Sequence, residues 1–294
     1  MEKDLLYYQG KKQRSELVTG IGILLLILGI LTTVNFEQAT FLGMAGRVLI
    51  GIGIVTILVG IVMYNRLIGY FKKSYLKEYF SSIIENGEYR PKRGLNASEV
   101  YACGFIKRAD RFKSYDYLGG KIDGIDFRSS DVHLQERQVY TDSKGRRKTR
   151  YVTYFKGRVF EFDFHKKLEH RLQVLERYRP LDGHKYKKVE LESIDFNKKF
   201  KTYATDPHTA FYVLTPHFME ALMKVEKNHP GRIGFSFFDE KLRFAINNNK
   251  SSFAIYPIVK IDEKLIDTFK ADIEGIYELV DDLKLNKDIF KEEA

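Results

Sequence analysis

Glu161, Asp163 and His165 alternate along the run VFEFDFH at residues 159–165. Alternate residues of a strand point to one face, so two carboxylates and an imidazole placed this way form a donor set suited to a divalent cation. A solvent-facing strand surface calls for the same residue types, and the pattern serves both readings. A second cluster is basic. Lys144, Arg146, Arg147, Lys148 and Arg150 surround the turn signal Ser143-Lys144-Gly145, with Tyr140, Tyr151 and Tyr154 interleaved. Such a surface suits lipid headgroups or an acidic protein, or nucleic-acid phosphates with bases stacked on the rings. A plain solvated hairpin carries the same residues.

Other chemistry is sparse. There is no glycine-rich phosphate loop closed by Lys-Ser or Lys-Thr, no G-x-S-x-G and no H-E-x-x-H. No cofactor is expected. Cys103 is the only cysteine, which excludes an intramolecular disulfide and fits a reducing compartment; it reads as a small buried apolar residue rather than a nucleophile. His165 and His170 are spaced poorly for joint ligation, and His208, His217 and His229 read as helix-boundary residues. Gly119-Gly120 reads as a turn.

The elements that position these residues begin with a membrane anchor. Residues 17–34 carry no charge and residues 41–64 carry one, Arg47. Eighteen helical residues cover about 27 Å, close to the ~30 Å hydrocarbon thickness. A long side chain such as Arg47, near the outer end, reaches back to the interface. The connector at 35–40 is too short to hold a domain, so the spans are antiparallel. Lys3, Lys11, Lys12 and Arg14 precede the hairpin and Arg66, Lys72, Lys73 and Lys77 follow it, whereas the connector has Glu37 and no base. That asymmetry predicts both termini in the cytoplasm of a plasma-membrane, multi-pass protein, with residues 1–16 as a cytoplasmic N-terminus. Tyr7, Tyr8, Tyr64 and Tyr70 are expected at the inner interface. Gly46, Gly53 and Gly60 recur every seven residues, as do Gly22 and Gly29; this spacing holds each set on one helix face, where backbones can approach closely.

Beyond the spans, residues 65–86 read as a basic amphipathic helix with Lys72, Lys73 and Lys77 opposite an aromatic stripe, suited to anionic headgroups or to packing on the domain that follows. Residues 87–294 read as a cytoplasmic α+β domain with a mostly antiparallel sheet. A short helix is expected near 98–106, then strands at 121–128, 131–140, 150–155, 159–165 (half-buried), 171–175, 188–192 and 200–204. Asp206-Pro207 and Thr215-Pro216 are helix-start signals. A hairpin spans 232–238 and 242–247, a further strand 252–256, and a closing helix 262–283. The net charge is +10, but residues 261–294 hold eleven acids against five bases, leaving a basic middle and an acidic tail.

The stretch Tyr154-Phe155-Lys156-Gly157-Arg158-Val159-Phe160 and the block VELESIDFNKKFKTYATDPHTAFYVLTPHFMEAL at 189–222 resemble a bacterial membrane protein family of unknown function, domain of unknown function 3137, over residues 101–257. The resemblance implies a membrane-anchored cytoplasmic domain with no assigned activity and no catalytic residues to carry over, and it hints at a membrane partner of the LemA type. The reading that emerges is a membrane-anchored binding or scaffolding protein contacting lipid or a membrane protein. An enzyme centred on Glu161, Asp163 and His165 and a membrane-tethered nucleic-acid binder are the alternatives.

Overall fold

The computed structural model describes residues 2–36, 40–164 and 168–282. The chain divides into two compact units, Met1–Leu76 with Ala254–Lys270, and Lys77–Phe253 with Ala271–Ala294.

The first unit is built on α1 (Glu2–Asn35) and α2 (Phe41–Phe71). Both are long and apolar enough to cross a membrane. The first helix starts well before its apolar run, at Glu2. Thr40 caps α2 by accepting from the Gly43 N–H at 3.2 Å. A π-helical turn, Lys72–Leu76, follows α2 directly. Here Phe71 stacks on Tyr75 (5.1 Å), Tyr8 meets Phe71 edge-on (5.0 Å), and the Tyr8 and Ser74 hydroxyls bond at 2.8 Å. Tyr8 is therefore buried, while Tyr7 and Tyr70 are exposed.

The second unit holds α3 (Lys77–Ile83) and a nine-stranded sheet: β1 (Glu85–Arg90), β2 (Arg111–Ile122), β3 (Ile125–Thr141), β4 (Arg147–Asp163), β5 (Leu172–Leu175), β6 (Lys187–Val189), β7 (Lys201–Ala204), β8 (Arg232–Phe238) and β9 (Lys241–Asn247). The order is β1-β2-β3-β4-β9-β8-β5-β7-β6, every pairing antiparallel. Helices α4 (Ala97–Tyr101), α5 (Ile194–Lys199), α6 (Pro207–Val213) and α7 (Pro216–Asn228) connect the strands, and α8 (Glu263–Asp282) begins in the first unit and ends in this one. The expected α+β class with its antiparallel sheet is what the chain adopts.

Register fixes the two faces of the sheet. Phe162 pairs with Phe127 and Leu242, Phe160 with Phe244, and Phe244 with Phe235, so these rings share one face and stack there at 4.5–5.9 Å. Phe218 of α7 and Phe200 beside α5 cover it. The other face carries Val132, Leu134, Phe155, Val159 and Ala245 under Leu95, Val100, Cys103, Phe105 and Ile106. From Gly157 to Phe162 strand β4 is thus buried on both sides, and the expected half-buried strand at 159–165 is corrected: Glu161 is only 6% exposed. Both strand faces must then be apolar or paired.

Several local expectations shift. The strand expected at 121–128 is centred on a tight turn, Asp123-Gly124, both with positive φ. Gly119 and Gly120 are not a turn; they pair with Arg128 and Phe127 inside β2. Residues 252–256 do not form a strand, because the Ser252 N–H is taken by a carboxylate (below) and not by a ladder. The helix expected across 65–86 is broken by the π turn and ends at Ile83, leaving Glu85 and Asn86 in β1.

Candidate functional site

The carboxylates singled out from the sequence are committed to cations of the sheet. Glu161 accepts from Arg243 Nε at 2.7 Å and pairs with Arg128, which in turn holds Glu99 at 2.6 Å. Asp163 pairs with Lys241. Burial pushes the Glu161 carboxyl up, but Arg128 and Arg243 more than offset this and hold it below the usual carboxylate range. Glu99 also closes a capping box with Asn96 at the start of α4, so the chain of charges ties the helix to the sheet. His165 lies outside the described residues. Among the described residues no three His, Cys, Asp or Glu side chains are arranged to hold a metal ion. Cys103 is fully buried and its thiol is pushed up to about 12 by desolvation, which leaves it unreactive near neutrality.

The basic cluster lies on a projecting ribbon. Strand β2 stops pairing with β3 at Gln135, and β9 stops pairing with β4 at Gly157. The pairs from Glu136↔Val152 to Thr141↔Arg147 continue alone, a two-stranded arm about 20 Å long at ~3.3 Å per residue. Lys144, Arg146, Arg147, Lys148 and Arg150 are all exposed at its end. Asp142 organises the tip: it accepts from the Lys144 and Arg146 N–H groups at 2.9 and 3.0 Å and pairs with Arg146 and Lys148 at 3.2 and 3.1 Å. These bonds, the one to the Arg146 N–H first, hold its carboxyl below the usual range. Among the described residues Lys144, Arg147 and Arg150 form no ion pair. The guanidinium of Arg150 sits over Tyr140 and that of Arg111 over Tyr151, so one face of each ring is already covered. Lys73 and Lys77 are exposed and Lys72 is half-buried, whereas Phe71, Tyr75, Leu76 and Phe80 are buried.

One polar centre escaped the sequence reading. Arg158 (5% exposed) donates to Asp131 (1%) at 3.0 Å, to the Ser129 hydroxyl at 3.0 Å and to the Asp116 carbonyl at 3.3 Å. Asp131 also accepts from the Ser252 N–H at 2.8 Å and its hydroxyl at 3.1 Å. Tyr89 donates to the Asp116 carboxylate at 2.5 Å. A β-bulge turns Asp116 inward: the β2–β3 register shifts between Tyr115 and Leu118, and Asp116 has φ +52°. Phe253 lies against the guanidinium at 4.7 Å and against Phe80 and Tyr89. Burial raises the Asp131 carboxyl, with Arg158 opposing and Asp116 adding to it. This centre pins Ser252-Phe253, where the chain leaves the second unit, and has the closed geometry of a structural clamp.

Two features of the first unit bear on the membrane. The glycines make the helix seam. A Cβ on Gly22 would meet the Ile57 N at 2.8 Å, one on Gly53 the Leu26 N at 2.8 Å, and one on Gly29 the Gly46 carbonyl at 2.7 Å; Gly46 lies against Thr32 and Thr33, and Gly60 against Thr19. Near the basic ends of the helices a groove of about 690 Å³ runs between α1, α2 and the segment around Pro257 and Ile258.

Residues 153–285 match the family model described as "Protein of unknown function (DUF3137)". Over that segment, less than half of the chain, the sequence is similar to this family. The segment contains both stretches that carried the resemblance; it starts later than residue 101, within β4, and continues past Pro257 through α8. No curated protein matches the chain. Among solved structures, the crystal structure of the mycobacterial trehalose monomycolate transport factor A, TtfA, is similar over 73% of this chain and 94% of its own, at 8% identity and a TM-score of 0.37. A likeness that loose carries no functional inference.

Proposed function

We propose that the chain is a membrane-anchored binding or scaffolding module, held by a two-span hairpin with both ends cytoplasmic, whose β3–β4 ribbon engages an anionic partner at the membrane. The ribbon carries the reading: among the described residues its distal half pairs with no other strand, and its tip presents basic side chains in excess of the one acid that organises them. A cationic arm of this kind recognises negative charge through complementarity and steering. The enzymatic alternative gains nothing from the geometry, since Glu161 and Asp163 serve arginine and lysine partners. The nucleic-acid alternative loses ground because arginines occupy ring faces that bases would need.

In cells, a photo-cross-linker at Thr149 of the full chain is expected to capture a membrane protein or anionic lipid, and Arg146→Glu/Arg147→Glu/Lys148→Glu to reduce the adduct at least about tenfold, since each basic group near an anionic surface contributes on the order of 1 kcal/mol. An undiminished adduct would sink the reading of the ribbon. Orientation has its own test. The excess of bases flanking the hairpin predicts that a fluorescent protein that matures only in the cytoplasm glows when fused after Ala294; a dark fusion beside an active exported reporter would reverse the topology.

A further inference from the structure

The groove in the first unit is built for an amphipathic guest. One end is lined by Thr19, Gly20, Ile23 and Ile61, inside the apolar runs; the other by Gln9, Lys12, Gln13 and Lys260, outside them. From Gln9 to Ile23 the α1 axis rises about 21 Å, the span of a headgroup with much of an acyl chain. Ile23 and Ile61 are exposed, so the apolar end opens towards the lipid that would surround the spans.

The segment closing the groove is shaped for the same boundary. It is pinned three times: Tyr64 donates to the Ile255 carbonyl at 2.7 Å, Lys12 to the Pro257 carbonyl, and the Ile261 N–H to Gln9 at 2.8 Å. Between these pins Tyr256 and Val259 are exposed and Ile258 is 96% exposed. An apolar loop held rigidly in the open is costly in water and favourable in the headgroup region.

The charge is specific. Lys12 is 1% exposed; Glu16 and the Pro257 carbonyl take two of its three N–H donors. Glu16 is the one acid in the lining, so Lys12 and Lys260 leave a net positive mouth, with the Gln9 and Gln13 amides beside it. We infer that the groove binds one anionic glycerophospholipid, its phosphate at Lys260 beside the Lys12–Glu16 pair and an acyl chain along Gly20, Ile23 and Ile61. This rests on the membrane-anchored reading above.

The full chain, in nanodiscs of phosphatidylcholine with phosphatidylglycerol as a minor component, is released gently and its retained lipids are weighed by native mass spectrometry. One phosphatidylglycerol is expected to stay, several-fold above its share of the mixture. A Cβ on Gly20 meets nothing within 4 Å, so Gly20→Leu fills the groove without a backbone clash and is expected to lose the lipid while melting as the native chain does. Lys260→Glu is expected to lower the preference for phosphatidylglycerol at least about fivefold. Retention in simple proportion to the mixture, retention unchanged by Gly20→Leu, or a second copy of the chain held in place of lipid would each overturn the proposal. Alkaline extraction separates the two failures: a chain that washes off membranes refutes the anchor, whereas one that stays without enriched lipid refutes the groove alone.

Discussion

Arg158→Met is expected to cost the sheet unit about 3–5 kcal/mol, because it strips the partner from a buried carboxylate. The lost guanidinium serves Asp131, Ser129 and the Asp116 carbonyl together, and Asp131 would keep only the two Ser252 donors. Chemical denaturation of the full chain in mild detergent measures the loss. Adding Asp131→Leu is expected to recover much of it, since the stranded charge and not the missing attraction is the larger part of the cost. A double variant as unstable as the single one would show that packing against Phe253 dominates instead.

The pH dependence of the variant has a definite sign. Burial already raises the Asp131 carboxyl in the folded state, and removing Arg158 removes the main opposing influence. A carboxyl that binds its proton more tightly when folded contributes stability below its unfolded pKa, about 3.9, and loses it as pH rises through the folded value. Because Asp131 is already raised in the native chain, both chains lose stability from about pH 4, and the deficit of Arg158→Met is expected to widen only above the native folded value, until the still higher folded value of the variant is passed. A deficit independent of pH would mean that Asp131 finds another cation.

Arg158 also marks how far the sequence could be read. It lies two residues before Phe160 and four before Phe162, so strand parity alone puts it on the buried aromatic face; what parity does not show is the Asp131 that pairs with it there. The hairpin was legible because a long uncharged run has few alternatives, and α6 and α7 begin at the prolines that announced them, with Thr215 accepting from the Phe218 N–H. Strand β2 was missed for physical reasons: two glycines weaken its signal, and the bulge at Asp116 resets its alternation midway. The burial of Glu161 was not legible, since it depends on β9, 82 residues on, pairing beside β4 and bringing Arg243 to it. The basic tip at 143–145 was found as a hairpin, but its isolation beyond β2 and β9 depends on where neighbouring strands stop.

The largest effect expected in the membrane unit concerns Gly53. A Cβ there would stand 2.8 Å from the Leu26 N and 2.9 Å from the Gly22 carbonyl, both backbone atoms that cannot rotate aside. Gly53→Ile is therefore expected to push α1 and α2 apart, at a cost of 1–3 kcal/mol or more for an overpacked contact, since transmembrane helices without a small-residue seam lose the close packing that holds them. Gly51 is the control: two residues away, its Cβ would meet nothing within 4 Å, so Gly51→Ile adds the same side chain to the same helix and is expected to be neutral. Spin labels on Leu24 and Val55, both exposed, report the separation of the helices by pulsed dipolar spectroscopy. A longer and broader distance distribution for Gly53→Ile but not Gly51→Ile follows if the heptad glycines form the seam of this hairpin. Equal distributions for the two variants would assign helix association to the aromatic cluster around Tyr8 and Phe71, and would leave the seven-residue glycine repeat without a packing role.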